Sequence, residues 1–118
     1  MPETLFLLIA GHAICDFVLQ SEAMATGKNH RLKERMRERH GPSFPTWPYW
    51  LISHAITHGT AVFLITGNLM LGLLETVLHL VIDYTKCAGR ISLLTDQILH
   101  GACKVGYVSY LAYASTLN

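Results

Sequence analysis

At 118 residues the chain has room for one domain, and three scattered cysteines, Cys15, Cys87 and Cys103, exclude a disulfide framework. Apolar residues make up 51%, charged residues only 14%, and mean hydropathy is positive, a balance toward the membrane end of the range. The formal net charge of +1 hides an uneven layout: eight of the nine Lys/Arg lie within 28–39 and 86–90, and only Lys104 stands apart.

The first predicted helix spans about 3–20 and includes TLFLLIAGHAICDFVLQ. Its polar residues His12, Asp16 and Gln20 are four apart and so share one helix face, while the remainder is apolar or Gly. Met1-Pro2-Glu3 lacks a basic leader, so no cleavable signal peptide is expected. The interval 21–47 is basic, then rich in proline and aromatics, and reads as a loop or short surface helix over 30–40. Phe44, Trp47, Tyr49 and Trp50 resemble an interfacial aromatic anchor, and Pro48 suits the first turn of a helix.

The second helix, 48–66, carries His54 and His58 on one face, and the short turn Thr66-Gly67-Asn68 predicts an antiparallel neighbour. That neighbour, 69–86, contains ETVLHLVIDYTK, in which Glu75, His79, Asp83 and Lys86 form a narrow polar stripe with apolar residues on every other side. A soluble surface helix has the reverse pattern, so this stripe must be hidden among partners. After the link Cys87-Ala88-Gly89-Arg90, a fourth helix, 91–115, carries Asp96, His100 and Lys104 at four-residue intervals.

The expected fold is therefore all-α: a single domain over 1–118, an antiparallel up-down four-helix bundle with the basic interval between its first two helices. Alternating helices would collect the basic segments on one side, the positive-inside asymmetry of a transmembrane protein in a bacterial inner membrane with both termini outside. Membrane lipid would then be a partner. A cytoplasmic soluble oligomer, such as a homo-oligomer, is the alternative, since the helices lie near the short limit for a bilayer span.

Four i,i+4 pairs, His12/Asp16, His54/His58, His79/Asp83 and Asp96/His100, use all three Asp and five of the seven His. Counted from the basic side, they fall at one depth in two layers, Asp16/His54/Asp83/Asp96 and, one turn deeper, His12/His58/His79/His100. Unpaired carboxylates in a low-dielectric core are costly, and neutral imidazole with carboxylate is a usual donor set for a divalent cation. One or two ions are expected, zinc favoured over manganese or iron, with all eight residues as ligands. Asp16, Asp83 and Asp96 would also serve as catalytic acid or base. Gln20, Lys86, Gln97 and Lys104 line the same stripes and are the candidate substrate contacts; Lys104 falls at the depth of Glu75, with which it could form an ion pair.

The segments HAICDFVLQ, HAITHG, HLVIDYTK and TDQILHG together resemble a small helical family of phage and bacterial proteins catalogued as domain of unknown function 3307. The resemblance implies a shared site at His12, Asp16, Gln20, His54, His58, His79, Asp83, Lys86, Asp96, Gln97 and His100, and implies no activity. A looser likeness is to membrane-bound metal-dependent hydrolases.

The leading expectation is a membrane-embedded metal-dependent hydrolase, a phosphoesterase using metal-activated water on an anionic small molecule or lipid head group drawn in by the basic mouth. No GxSxG-like or Cys/His nucleophile is present. The alternatives are a redox enzyme with a di-iron centre, bis-His haem being disfavoured by the three Asp beside the histidines, and a non-enzymatic metal or proton conductor or host-interaction protein. Nucleic acid is disfavoured as a partner, because Glu22, Glu34 and Glu38 fall in or near the basic run and no stacking aromatic lies within it.

Overall fold

The computed structural model describes residues 1–117, and among these it is all-α, with six helices and no strand. They are α1 (Pro2–Ala13), α2 (Glu22–Gly27), α3 (Lys33–His40), α4 (Trp47–Thr66), α5 (Leu69–Cys87) and α6 (Leu93–Ser115). The expected first helix does not run unbroken to residue 20. At Ala13 it passes into a π-helical turn, Ile14–Val18, where the Leu19 N–H reaches back to the Ile14 carbonyl at 2.9 Å. Such wide turns are rare and recur at functional sites; this one carries Asp16.

The basic interval forms α2, a 3-10 turn (His30–Leu32) and α3 instead of one surface helix, and it is tied to the rest. Ser21 and Asn29 cap its turns, His30 stacks on Tyr84 at 4.5 Å between ring centroids, and Arg31 donates to the Ala88 carbonyl at 3.4 Å. Met36 and Lys28 are buried. At the start of α4 part of the aromatic cluster is internally packed, although Tyr49 is exposed: Phe44 stacks with Trp50, whose indole N–H donates to the Pro45 carbonyl at 3.1 Å.

Helices α1, α4, α5 and α6 close a ring, with α4 against α5 the most extensive pairing. Gly67, in the left-handed conformation (φ +66°), ends α4 and Asn68 caps α5, so the chain reverses within two residues. Gly59 and Gly72 then let the two backbones touch: a Cβ at Gly59 would lie 1.9 Å from Thr76 Oγ1 and 2.6 Å from the Gly72 carbonyl oxygen. Contacts run in opposite chain directions across each neighbouring pair. Examples are Asp16 with His54 and His12 with His58, or Glu75 with Lys104 and His79 with His100.

Inside the ring the residues are stacked in layers. An apolar cluster of Leu8, Val62, Leu71 and Tyr107 fills one end. The Glu75–Lys104 pair follows, then the histidines, then the aspartates, with Lys28 and Lys86 beyond. The three thiols are free, and burial raises the pKa of each, which keeps them protonated and inert.

The membrane-spanning expectation is overturned: among the described residues no helix is long and apolar enough to cross a membrane. The physical reason lies in the stripes. The α1 helix proper has only 12 residues, and α4, α5 and α6 give much of their length to His, Asp, Glu, Lys, Gly, Ser and Thr. With it go the inner-membrane placement and the outside termini. The outer faces are nonetheless apolar: Phe6, Val18, Leu64, Met70 and Leu94 are each more than two-thirds exposed.

Candidate metal centre

All eight residues of the four i,i+4 pairs point into the ring. His54, His58, His79, Asp83, Asp96 and His100 are at most 1% exposed, and Asp16 is 7% exposed. The deeper layer is a stack of imidazoles. Ring centroids are 3.6 Å apart for His58 and His79, 4.2 Å for His79 and His100, 4.7 Å for His12 and His100, and 4.8 Å for His12 and His58. His54 joins from the aspartate layer, 4.7 Å from His58.

These rings converge without satisfying one another. Both ring nitrogens of His12, His79 and His100, and Nε2 of His54 and His58, are buried without a hydrogen-bond partner. A buried polar atom left unpaired is costly, and native interiors hold few of them. Two sets of donor atoms lie within 4.8 Å of one another: Asp16, His54, His58 and His79, and His12, His58, Glu75 and His79.

Asp16 is the hub. Its Oδ1 lies 3.1 Å from His58 Nε2 and 3.2 Å from His54 Nε2, its Oδ2 lies 3.3 Å from His12 Nε2, and the Gln97 amide donates to Oδ2 at 2.9 Å. Burial alone would raise its pKa. The three imidazoles and the amide outweigh burial and hold the carboxyl well below the usual range. Burial also holds His58 at about 4, against the opposing pull of Asp16, and His79 at about 3, against that of Glu75. Both are therefore neutral near pH 7, the form that binds metal.

The other carboxylates are held by lysines. Asp83 receives Lys28 on Oδ2 at 2.5 Å and faces Lys86 at 2.7 Å from Oδ1; Asp96 accepts from Lys86 on Oδ2 at 3.2 Å. Burial would raise both acids, but Lys28 and Lys86 push Asp83 down, and His100 with Lys86 pushes Asp96 down. Asp83 and Asp96 in turn raise Lys86 against the effect of burial.

On the far side of the histidines, Glu75 accepts from Lys104 at 2.5 Å and from the Tyr107 hydroxyl at 2.8 Å, and lies 3.5 Å from His79 Nδ1. Burial opposes its ionisation, yet His79, Lys104 and Tyr107 hold it at about 2. Burial and the Glu75 charge raise the Tyr107 phenol.

Of the four candidate substrate contacts, Lys86 and Gln97 stand at the aspartate layer, Gln97 donating to both Asp16 and Asp96. Gln20 donates to the Asp16 carbonyl at 2.9 Å, closing the π turn. Lys104 is 1% exposed and engaged by Glu75, at the opposite end of the site from the basic interval. Sequence reasoning missed Lys28, placed within a solvated basic run, because its partner Asp83 lies 55 residues away and no local pattern marks the pairing.

No curated protein and no solved structure matches the chain. The likeness to membrane-bound metal-dependent hydrolases thus finds no counterpart, and the membrane and hydrolase labels it implied lose that support. Residues 4–117 match the family described as "Protein of unknown function (DUF3307)". That match takes in every helix that lines the site, and the chain belongs to the DUF3307 family.

Proposed function

We propose that this chain is a metal-binding protein that holds a divalent cation at Asp16, His54, His58 and His79, inside an up-down four-helix bundle formed by α1, α4, α5 and α6. The observation that carries the reading is a mismatch of charge. Four carboxylates are buried, and Glu75, Asp83 and Asp96 each have a lysine, whereas Asp16 has only imidazoles and an amide among the described residues. The one carboxylate without a cation is the one ringed by unpartnered imidazole nitrogens.

Three imidazoles and a carboxylate suit zinc first, then manganese or iron, better than calcium or magnesium. The competing donor set needs Glu75, which already serves Lys104 and Tyr107. Glu75 instead suits a supporting part beside His79 Nδ1, orienting the ring so that Nε2 turns to the ion. A cation so held supplies Lewis acidity toward a water molecule.

Metal-stripped protein titrated with zinc, manganese or ferrous ion tests the reading. Binding should raise the melting temperature, because the ligand stabilises only the folded state, and Asp16→Asn and His58→Ala should weaken it by tenfold or more. A protein that retains no metal and whose melting temperature ignores added ions would leave the cluster as a polar network that only fixes helix register.

A further inference from the structure

We infer that Lys28 and Lys86 stand where a second cation would otherwise be required, so that the centre accepts one metal ion, at Asp16, and not two. This rests on the metal reading above and specifies its stoichiometry. Seen from sequence alone, two ligand layers one turn apart look like a dinuclear site. The geometry assigns the layers differently.

Three observations agree. First, Asp83 and Asp96 belong to neither set of convergent donor atoms. Second, the two sets share His58 and His79, and a neutral imidazole has only one nitrogen with a free lone pair, so the sets are alternatives and cannot both be filled. Third, three of the four carboxylate oxygens that a second ion would use already face ammonium groups, and the fourth, Asp96 Oδ1, lies 3.6 Å from His100 Nε2. Lys28 Nζ is on Asp83 Oδ2 at 2.5 Å, and Lys86 Nζ spans Asp83 Oδ1 at 2.7 Å and Asp96 Oδ2 at 3.2 Å. A divalent ion at those oxygens would sit against two like charges in a low-dielectric interior.

Lys28 is no chance surface contact. It is 3% exposed and comes from outside the ring, at the end of α2, where the absence of a side chain at Gly27 lets the backbone rest on the Trp50 indole. The basic interval thus delivers one cation to the aspartate layer, and α5 supplies the other from Lys86. The Gln97 amide links this lysine-held layer to the metal layer by donating to Asp96 at 3.1 Å and Asp16 at 2.9 Å.

The test is the zinc-to-protein ratio of the full chain after loading and passage over a chelating resin. Wild type should hold one zinc ion, and Asp83→Asn should still hold one, because Asp83 serves lysine and not metal. Lys28→Met/Lys86→Met should rise toward two, since the released carboxylates of Asp83 and Asp96, drawn together by Lys86 in wild type, lie beside His100, which the first ion does not use. Two ions in wild type, a folded double variant that stays at one, or loss of metal from Asp83→Asn would each overturn the inference while leaving the metal reading intact. No zinc in wild type would instead remove the metal reading and this inference with it. Should the double variant fail to fold, the wild-type and Asp83→Asn ratios decide.

Discussion

His58 and His79 stack face to face, with ring centroids 3.6 Å apart and 20° between their planes, although they come from different helices. That distance is set one residue away on α4, where Gly59 meets the Gly72 backbone and the Thr76 hydroxyl of α5 with no room for a Cβ. Adding a methyl group there must push the helices apart. Gly59→Ala and Gly72→Ala should each cost about 1–3 kcal/mol of stability, the range for overpacking a tight core. Denaturant unfolding checks this, and both variants should bind metal more weakly because the two rings separate.

Acid should unfold the metal-stripped protein earlier than its carboxylates alone would require. His58 is held at about 4 and His79 at about 3, against 6.5 for a free imidazole. As pH falls the unfolded chain takes up these protons first, so stability is complete above about pH 6.5 and declines through pH 4 and 3. For His58 the loss is on the order of 3 kcal/mol. Melting temperature measured in steps from pH 7.5 to 4 should drop steadily; a flat profile would contradict neutral burial of these rings.

The Glu75–Lys104 pair is a stability element whose members fail separately. Glu75→Gln leaves the Lys104 ammonium, 1% exposed, without a counter-charge and should cost about 3–5 kcal/mol. Glu75→Gln/Lys104→Met removes both charges and should cost less than the sum of the single changes, with a coupling of about 0.5–3 kcal/mol. Strict additivity in urea unfolding would show that the two do not act together.

The basic interval should loosen as a unit when its anchor is disturbed. A Cβ at Gly27 would lie 2.7 Å from Trp50 Cδ1, so Gly27→Ala must displace either α2 or the indole. Limited proteolysis should then cut within residues 21–40 faster than in wild type. Equal cleavage rates would mean that the contacts of Lys28, His30 and Arg31 hold the segment without the Gly27–Trp50 packing.

Much of this site could be read from spacing. The stripes at 12/16, 54/58, 79/83 and 96/100 give each helix its inward face, because a polar line on an apolar helix has only one place to go. Long periodic segments such as α4 and α5 appear within about a residue of their expected ends. The π turn at Ile14–Val18 was hidden, since no proline or glycine marks it and only tertiary packing on Asp16 explains it. Lys28 was hidden too: its partner is 55 residues away, and a lysine among arginines looks solvated until Asp83 is placed beside it. The membrane expectation failed where it was already thin, on length: the π turn leaves α1 only 12 residues, and the polar stripes lower the hydropathy of the longer helices.

Diffraction from zinc-loaded crystals on both sides of the zinc absorption edge tests the central claim most directly. An anomalous peak should lie about 2.0–2.2 Å from Asp16, His54, His58 and His79, with Lys28 and Lys86 still on Asp83 and Asp96. No peak in the ring, or one seated between Asp83 and Asp96, would contradict the account.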